Sequence, residues 1–356
     1  MPDSADSTGS VSFADRLIRW QEKYGRHDLP WQRTRDAYRI WLSEIMLQQT
    51  QVATVIPYYQ RFLQRFPDVA ALAAAPVEKV LEAWAGLGYY ARARNLHRCA
   101  RAIVAEHAGQ FPRNPSQLAK LPGIGRSTAA AIDVFAFGIH AAILDGNVKR
   151  VLARCFGVEG FPGNAQIERT LWQLSESLLP SSSIETYTQA LMDLGATVCT
   201  RANPSCSDCP LQASCVARRD GRQAELPAAR PSKIRPERES RVLVLTDGRR
   251  VLLERRPPAG IWGGLLALPE LGDEEASEFA RRHGFRLRQL RELPALRHDF
   301  SHFRLTLRPC LYQLEAAVGR VGEPGWEWLV LDEIDSAALP APILRILRQV
   351  MPHFSG

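Results

Sequence analysis

The feature that most constrains this chain is a change of hydrophobic period about two-thirds of the way along it. From Val11 to about Leu194, apolar residues recur at three- and four-residue steps. The runs are 13–20, 40–56, 69–84, 92–105, 126–137, 148–155, 167–179 and 184–194. That spacing puts them on one face of a helix. Proline and glycine separate the runs, as at Pro112, Pro122, Gly123, Gly125 and Gly163. Past Glu239 the pattern shortens. Arg241–Leu245 and Arg250–Glu254 are β-like runs across an Asp247-Gly248 turn. Arg304–Gln313 and Trp326–Leu331 are further strand candidates, and 273–284 and 341–350 read as helices. The expected fold class is therefore multidomain, an all-α domain followed by a smaller α+β domain. The segment between them, Ala224–Glu239, holds Pro227, Pro231 and Pro236, charges of both signs and no apolar period. It reads as a linker. The expected divisions are a disordered tail over 1–10, the helical domain over 11–223, the linker over 224–239 and the α+β domain over 240–356.

Composition narrows the class. A chain of 356 residues suits two or three domains. With 46% hydrophobic and 23% charged residues it has enough apolar surface for packed cores, which excludes global disorder. No run of eighteen apolar residues exists, so no membrane span is expected. Met1–Ser12 is polar and lacks the apolar segment of a secretory signal, which predicts a cytosolic protein. A formal charge of +7 favours an anionic partner such as nucleic acid.

Four of the seven cysteines fall within seventeen residues, as Cys199-x6-Cys206-x2-Cys209-x5-Cys215. An odd total without a signal segment argues against a disulfide framework. Zinc and an iron–sulfur cluster both accept four thiolates. Zinc sites usually pair two short C-x2-C knuckles, and here one pair alone has that spacing. The asymmetry favours a cubane, whose corners lie farther apart. Cys99, Cys155 and Cys310 read as core cysteines.

Leu121-Pro122-Gly123-Ile124-Gly125 precedes the helical run at Arg126. Two glycines around one apolar residue make a tight turn and let backbone amides approach an anion. A plain connection between helices has the same composition. Glu44 lies among Ile40, Trp41, Leu47 and Gln48 at helical spacing. Burial there would raise its pKa and suit it to general-acid work, whereas a glutamate at the edge of the face would simply be solvated. Asp145 precedes Gly146-Asn147-Val148 and can cap the following helix, serve as a second carboxylate, or do both.

These residues resemble a known family. Leu29-Pro30-Trp31, Trp41–Val52, Gly86-Leu87-Gly88-Tyr89-Tyr90, the turn at 121–125, Leu144–Arg150, the four cysteines and Phe300-Ser301-His302 are similar to the MutY adenine DNA glycosylases. That group belongs to the helix–hairpin–helix superfamily with endonuclease III, and the resemblance runs from about 13 to 350. It implies a base excision repair enzyme that removes adenine mispaired with 8-oxoguanine or guanine in double-stranded DNA, acting as a monomer in the bacterial cytosol. It implies that Glu44 protonates adenine, that Asp145 stabilises the oxocarbenium-like sugar and that Asn147 supports it. It places Trp31 in the adenine pocket, Tyr89 as a wedge, Gln49 in the vacated stack, and Leu87, Gly123, Gly125, Ser127 and Lys149 along the DNA. Cys199, Cys206, Cys209 and Cys215 would hold one 4Fe–4S cluster. The C-terminal domain resembles the Nudix fold, with Gly264 and Glu270 at box spacing and Arg281 and Arg282 where metal-binding glutamates stand. Phe300, Ser301 and His302 would there read the lesion.

Three other readings compete. Lyase members of the superfamily carry a lysine where this chain has Ser127, and a hydroxyl cannot form a Schiff base, so a monofunctional enzyme is expected over an endonuclease III-like lyase. Glu44 and Asp145 speak against a non-catalytic DNA-binding protein. Arg281 and Arg282 speak against a Nudix hydrolase, since cations cannot hold Mg²⁺.

Overall fold

In a computed structural model, residues 11–231, 234–258, 260–300, 302–317 and 325–351 are described. The tail expected over 1–10 and Ser301 lie outside them. The chain forms two compact units, one built from residues up to 60 with 66–73 and 98–232, the other from 61–65, 74–97 and 233–356.

The helices run α1 (Phe13–Tyr24), α2 (Ala37–Leu47), α3 (Val52–Arg65), α4 (Val69–Ala74), α5 (Val77–Ala83), α6 (Ala91–His107), α7 (Pro115–Leu118), α8 (Arg126–Phe137), α9 (Gly146–Phe156), α10 (Ala165–Ser177), α11 (Ile184–Asp193) and α12 (Val216–Arg219). Two of the expected runs are broken. The run 40–56 divides because Gln49 turns left-handed, with φ 58°, and α3 restarts at Val52. The run 69–84 divides at Pro76, which disfavours helical geometry in the residue before it.

The first unit's core gathers one face each of α1, α8, α9 and α11. Leu17, Val134, Val148, Val151, Leu152 and Leu191 are among its buried members. Asp193, at the end of α11, is fully buried. It accepts hydrogen bonds from Gln21 Nε2 (3.0 Å), the Arg26 amide (2.8 Å), Arg26 Nε (2.8 Å) and Gln189 Nε2 (2.9 Å). So many donors offset the cost of burying its charge. The chain then makes one π turn, Leu194–Val198, closed by the Cys199 amide on Leu194 O at 2.6 Å.

The second unit is α+β. Its strands are β1 (Glu237–Thr246), β2 (Arg250–Arg255), β3 (Leu266–Ala267), β4 (Phe285–Glu292), β5 (Leu296–Asp299), β6 (Arg304–Ala317) and β7 (Trp326–Val330), with α13 (Ala276–Arg282) and α14 (Ala341–Val350). The sheet order is β3-β2-β1-β6-β4, with β5 on β6 and β7 on β2. β1 pairs with β6 in parallel, Val242 opposite Pro309 and Leu245 opposite Tyr312. Alternate residues of β1 enter opposite cores. Val242 and Val244 pack with Ile343, Ile346 and Leu347 of α14, while Leu243 and Leu245 pack with Phe279 of α13. A parallel strand covered on both faces has to be continuously apolar, and 242–245 is. Residues 74–97 join this unit through Tyr90, whose hydroxyl donates to Leu339 O (3.1 Å), and Arg94, which donates to Gly263 O (2.7 Å).

The segment read as a linker is less open than its prolines suggest. Leu226 is buried and its carbonyl accepts Arg154 Nε at 2.9 Å, the Ala228 amide reaches Gly160 O at 3.2 Å, and Glu237–Glu239 already belong to β1. Among the described residues no helix is long and apolar enough to cross a membrane.

Candidate active site

Glu44 stands on α2, whose first turn is capped by Asp36 through the Tyr38 amide at 2.9 Å. Ile40, Trp41, Ile45 and Met46 are buried, which leaves the Glu44 side of the helix facing a cavity of about 1000 Å³. Leu29, Trp31, Asp145, Asn147 and Gln189 also line that cavity. Burial, and after it the nearby charge of Asp145, push the Glu44 carboxyl up to about 8.

Asp145 is the N-cap of α9. Its Oδ1 accepts the Val148 amide at 2.8 Å, and its Oδ2 faces Asn147 Nδ2 at 3.4 Å. Burial raises its carboxyl as well. The Val148 and Asn147 amides and the charge of Arg150 oppose that rise, whereas both influences on Glu44 act upward. Capping and facing the cavity are thus compatible. Asp145 has donors that support its charge, whereas Glu44 has none of them.

Arg150, one turn into α9, ties this site to the cysteine loop. It donates to Asn147 Oδ1 (2.9 Å), Gly195 O (2.6 Å) and Cys199 O (2.7 Å). Arg154, a further turn on and buried, donates to Cys199 Sγ (3.4 Å), Thr200 O (2.7 Å) and Arg201 O (3.1 Å). Cys199, Cys206, Cys209 and Cys215 are unbridged and half-buried, and all four line one small pocket with Arg154. Among the described residues, no three His, Cys, Asp or Glu side chains are grouped so as to hold a metal ion. Cys99, Cys155 and Cys310 are buried, as expected of core cysteines.

At the hairpin, the Ile124 amide donates to Leu121 O at 3.1 Å and Gly123 has φ 79°. Proline second and a positive-φ glycine third is the pattern of a type II turn. Leu121 and Ile124 are buried, and Gly125 begins α8 with no side chain capping it.

Comparison with known proteins places these features. Residues 42–177 match the HhH-GPD superfamily of base excision DNA repair proteins, and 241–349 match the NUDIX domain. The adenine DNA glycosylase of Buchnera aphidicola (subspecies Baizongia pistaciae) is 34% identical over 343 residues, covering 96% of this chain and 97% of that one. That of Mus musculus is 34% identical, covering 99% and 80%. The chain belongs to the adenine DNA glycosylase family. A solved thermostable thymine-DNA glycosylase covers 58% of this chain and 95% of its own at 29% identity, with a TM-score of 0.53. Endonuclease III in a non-covalent DNA complex covers 58% and 94% at 22% identity, TM-score 0.50, a likeness of fold alone.

Other residues singled out by the resemblance to adenine DNA glycosylases take varied places. Trp31 lines the cavity and packs edge-on against Tyr59, ring centroids 5.4 Å apart. Gln49 is exposed. Tyr89 is 59% exposed with φ 50°. Left-handed backbone at two such large residues is strain of the kind found at functional sites. Leu87 is buried, so its side chain belongs to the core. Lys149 is bound to Glu168 at 2.6 Å. Ser127 accepts the Leu144 amide at 3.0 Å.

In the Nudix-like unit, Phe300 stacks on Phe303 (4.6 Å) and lies 4.7 Å from His298 and 5.8 Å from Trp262, while His302 is exposed. Glu270, at the box position, is paired with Arg256 at 3.2 Å, and Glu254 holds the same guanidinium at 2.8 Å. Sequence reasoning missed Arg150, Arg154 and the Asp193 cluster. Only the i+3 spacing of Arg150 from Asn147, with Arg154 one turn further along α9, pointed that way, since their partners in the cysteine loop lie more than forty residues on.

Gly195 offers a check on this packing. A Cβ there would sit 2.5 Å from Asn147 Cβ and 3.0 Å from its Cα. Gly195→Ala must displace the first turn of α9. It should lower single-turnover adenine excision about 100-fold, the scale of a 1 Å misplacement, while circular dichroism retains the parental helix signal.

Proposed function

We propose that the protein removes adenine mispaired with 8-oxoguanine or guanine from duplex DNA, by flipping the nucleotide and hydrolysing its N-glycosidic bond. The observation that carries this is a carboxylic acid held neutral near neutral pH beside a second, anchored carboxylate in one cavity of about 1000 Å³, which has room for a flipped purine nucleotide. The flipped base enters beside Trp31. Glu44 gives its proton to the adenine ring, at N7. The C1′–N9 bond then breaks, its electron pair leaving with a neutral base. Asp145, fixed by the Val148 amide, stabilises the cationic sugar at C1′. Water adds there, and the proton it releases restores the neutral acid. Asn147 holds Asp145 Oδ2. Ser127 has no amine with which to form an imine, which supports a monofunctional enzyme over a lyase. The glycines at 123 and 125 suit a backbone phosphate, and Gln49 and Tyr89 suit the gap and the wedge. Phe300 to His302 read the lesion, from the domain that begins with β1 at Glu237.

The four cysteines would hold a 4Fe–4S cluster. The fit rests on four half-buried sulfurs around one pocket, with a guanidinium 3.4 Å from Cys199 Sγ that opposes the rise burial causes in that thiol. When bound, such a cluster would crosslink the loop through Cys199, Cys206, Cys209 and Cys215.

Three outcomes test these assignments. Glu44→Gln should lower excision by about 10²–10⁴-fold with duplex affinity retained, since an amide donates no acidic proton. In the parent, the excision rate should fall as pH rises through about 8, where Glu44 loses its proton. Stability gives the matching sign. A carboxyl raised from 4.5 to about 8 stabilises the fold fully below pH 4.5, and that contribution is lost as pH rises to 8. Glu44→Gln should therefore gain on the parent across that window and hold a constant lead above it.

For the loop, protein purified without oxygen should be brown and contain iron; zinc in place of iron refutes the cluster. For the lesion, Phe300→Ala should slow excision opposite 8-oxoguanine more than opposite guanine, by about 1–3 kcal/mol of discrimination. Equal losses would make that unit a general DNA clamp.

A further inference from the structure

One peptide unit in the first unit is gripped from both edges. The carbonyl of Ile143 accepts a hydrogen bond from the Ser175 hydroxyl at 2.9 Å, and the amide of Leu144 donates to Ser127 Oγ at 3.0 Å. These are the two ends of the same peptide plane. The serines come from different helices, Ser127 from α8 and Ser175 from α10. Ile143 and Leu144 are buried, and so is Ser175. Residues 138–145 belong to no helix or strand, so no regular ladder satisfies this plane. A buried peptide group without partners is costly, and the two hydroxyls supply them.

The position of this plane gives it a second consequence. Asp145 is the next residue, and it leaves the loop as the N-cap of α9 with φ −78° and ψ −179°. The direction of its Cα–Cβ bond depends on the loop before it and the helix after it; the clamped plane lies one peptide upstream and reaches Asp145 through Leu144, whose side chain is buried. The helix side is fixed by the Val148 amide. The loop side is anchored one residue upstream, at Leu144, by the two serines. Neither serine lines the cavity, so neither touches the reacting atoms there. Ser127 is also the second residue of α8, directly after the Leu121–Gly125 turn. A load on that turn is passed by one hydrogen bond to the residue before Asp145.

We propose that Ser127 and Ser175 are positioning residues which clamp the Ile143–Leu144 peptide and so aim the Asp145 carboxylate, Ser127 linking that aim to the glycine turn. This rests on the catalytic role given above to Asp145. A hydroxyl retained only for local satisfaction would affect stability and not the chemical step. A hydroxyl that aims Asp145 affects the chemical step even where the protein is fully folded.

The test uses the full chain in excess over a duplex carrying adenine opposite 8-oxoguanine, well below each variant's unfolding temperature. Single-turnover excision rate and duplex Kd are measured separately. Ser127→Ala and Ser175→Ala should each slow excision about tenfold or more, with Kd changed less than about threefold. Ser127→Thr, which keeps an acceptor oxygen, should recover most of the rate. The double alanine variant should be slower than either single variant by less than the product of their effects, because both hydrogen bonds hold one plane. Parental rates in both single variants, with only a lowered unfolding temperature, would overturn the clamp. So would threonine failing to rescue. If Ser175→Ala does not fold, the Ser127→Ala and Ser127→Thr pair decides the matter alone, since Ser127 is less buried. Asp145→Asn separates the two levels. If it stays active, the role of Asp145 has failed; if it is inactive while the serine variants are unimpaired, only the clamp has.

Discussion

The hydrogen bond from the Val148 amide to Asp145 serves two purposes, and much of the first unit is arranged around it. It starts α9, whose first-turn amides would otherwise lack partners. It also turns a carboxylate into the cavity and supports its charge. The rest of α9 continues the same pattern. Arg150 reaches Asn147 and Gly195, Arg154 reaches Cys199 Sγ, and both hold carbonyls of the cysteine loop. One helix therefore begins at the candidate catalytic carboxylate and ends gripping the thiols. A displacement of the loop at Cys199 has a covalently short route to Asn147, because one guanidinium holds both.

The same cavity shows why two like groups can play unlike parts. Asp145 has amide donors and a nearby guanidinium. Glu44 has apolar neighbours and the repulsion of Asp145. Burial raises both carboxyls, and only the partners separate them. Asn147 matters here beyond its contact with Asp145, since it also fixes Arg150, which opposes the rise of the Asp145 carboxyl. A mutation at 147 should thus reach Glu44 indirectly, by changing how much charge Asp145 presents to it.

Much of this was legible in the linear sequence. The apolar residues around Glu44 and the turn signature at 121–125 are local, so period and turn chemistry disclosed them. The four cysteine positions are local too, and the chain brings them to one pocket. The division of the long runs at Gln49 and Pro76 was only half legible. Pro76 is a visible breaker, but nothing in Gln49 announces a left-handed backbone. β4 escaped because it is an exposed, polar edge strand with Phe285 its one buried residue, and β5 because its four residues, one of them buried, are too short to show a period. The Asp193 cluster escaped for another reason. Arg26 and Asp193 are 167 positions apart, and no periodicity connects them. Ser175 had no signal at all, since a serine on a helix face has many bland uses. Ser127 carried a signal for the absent lysine and for DNA, and none for the Leu144 amide that its hydroxyl accepts.

Glutamates in the second unit show what the first unit withholds from Glu44. Glu254 and Glu270 share the Arg256 guanidinium, and Glu274 holds Arg282 at 2.8 Å. Each of those carboxylates has an opposite charge within salt-bridge reach. A paired carboxylate is poorly placed to hold a divalent cation, because the cation would first have to displace the guanidinium. In the Nudix-like unit these carboxylates thus serve as ties to arginine and not as free metal ligands. In the first unit the reverse holds: Asp193 and Asp145 receive the donors, and Glu44 receives none of the influences that would lower its pKa. Reactivity in this chain follows from where compensating charge is absent rather than from where acidic residues are found.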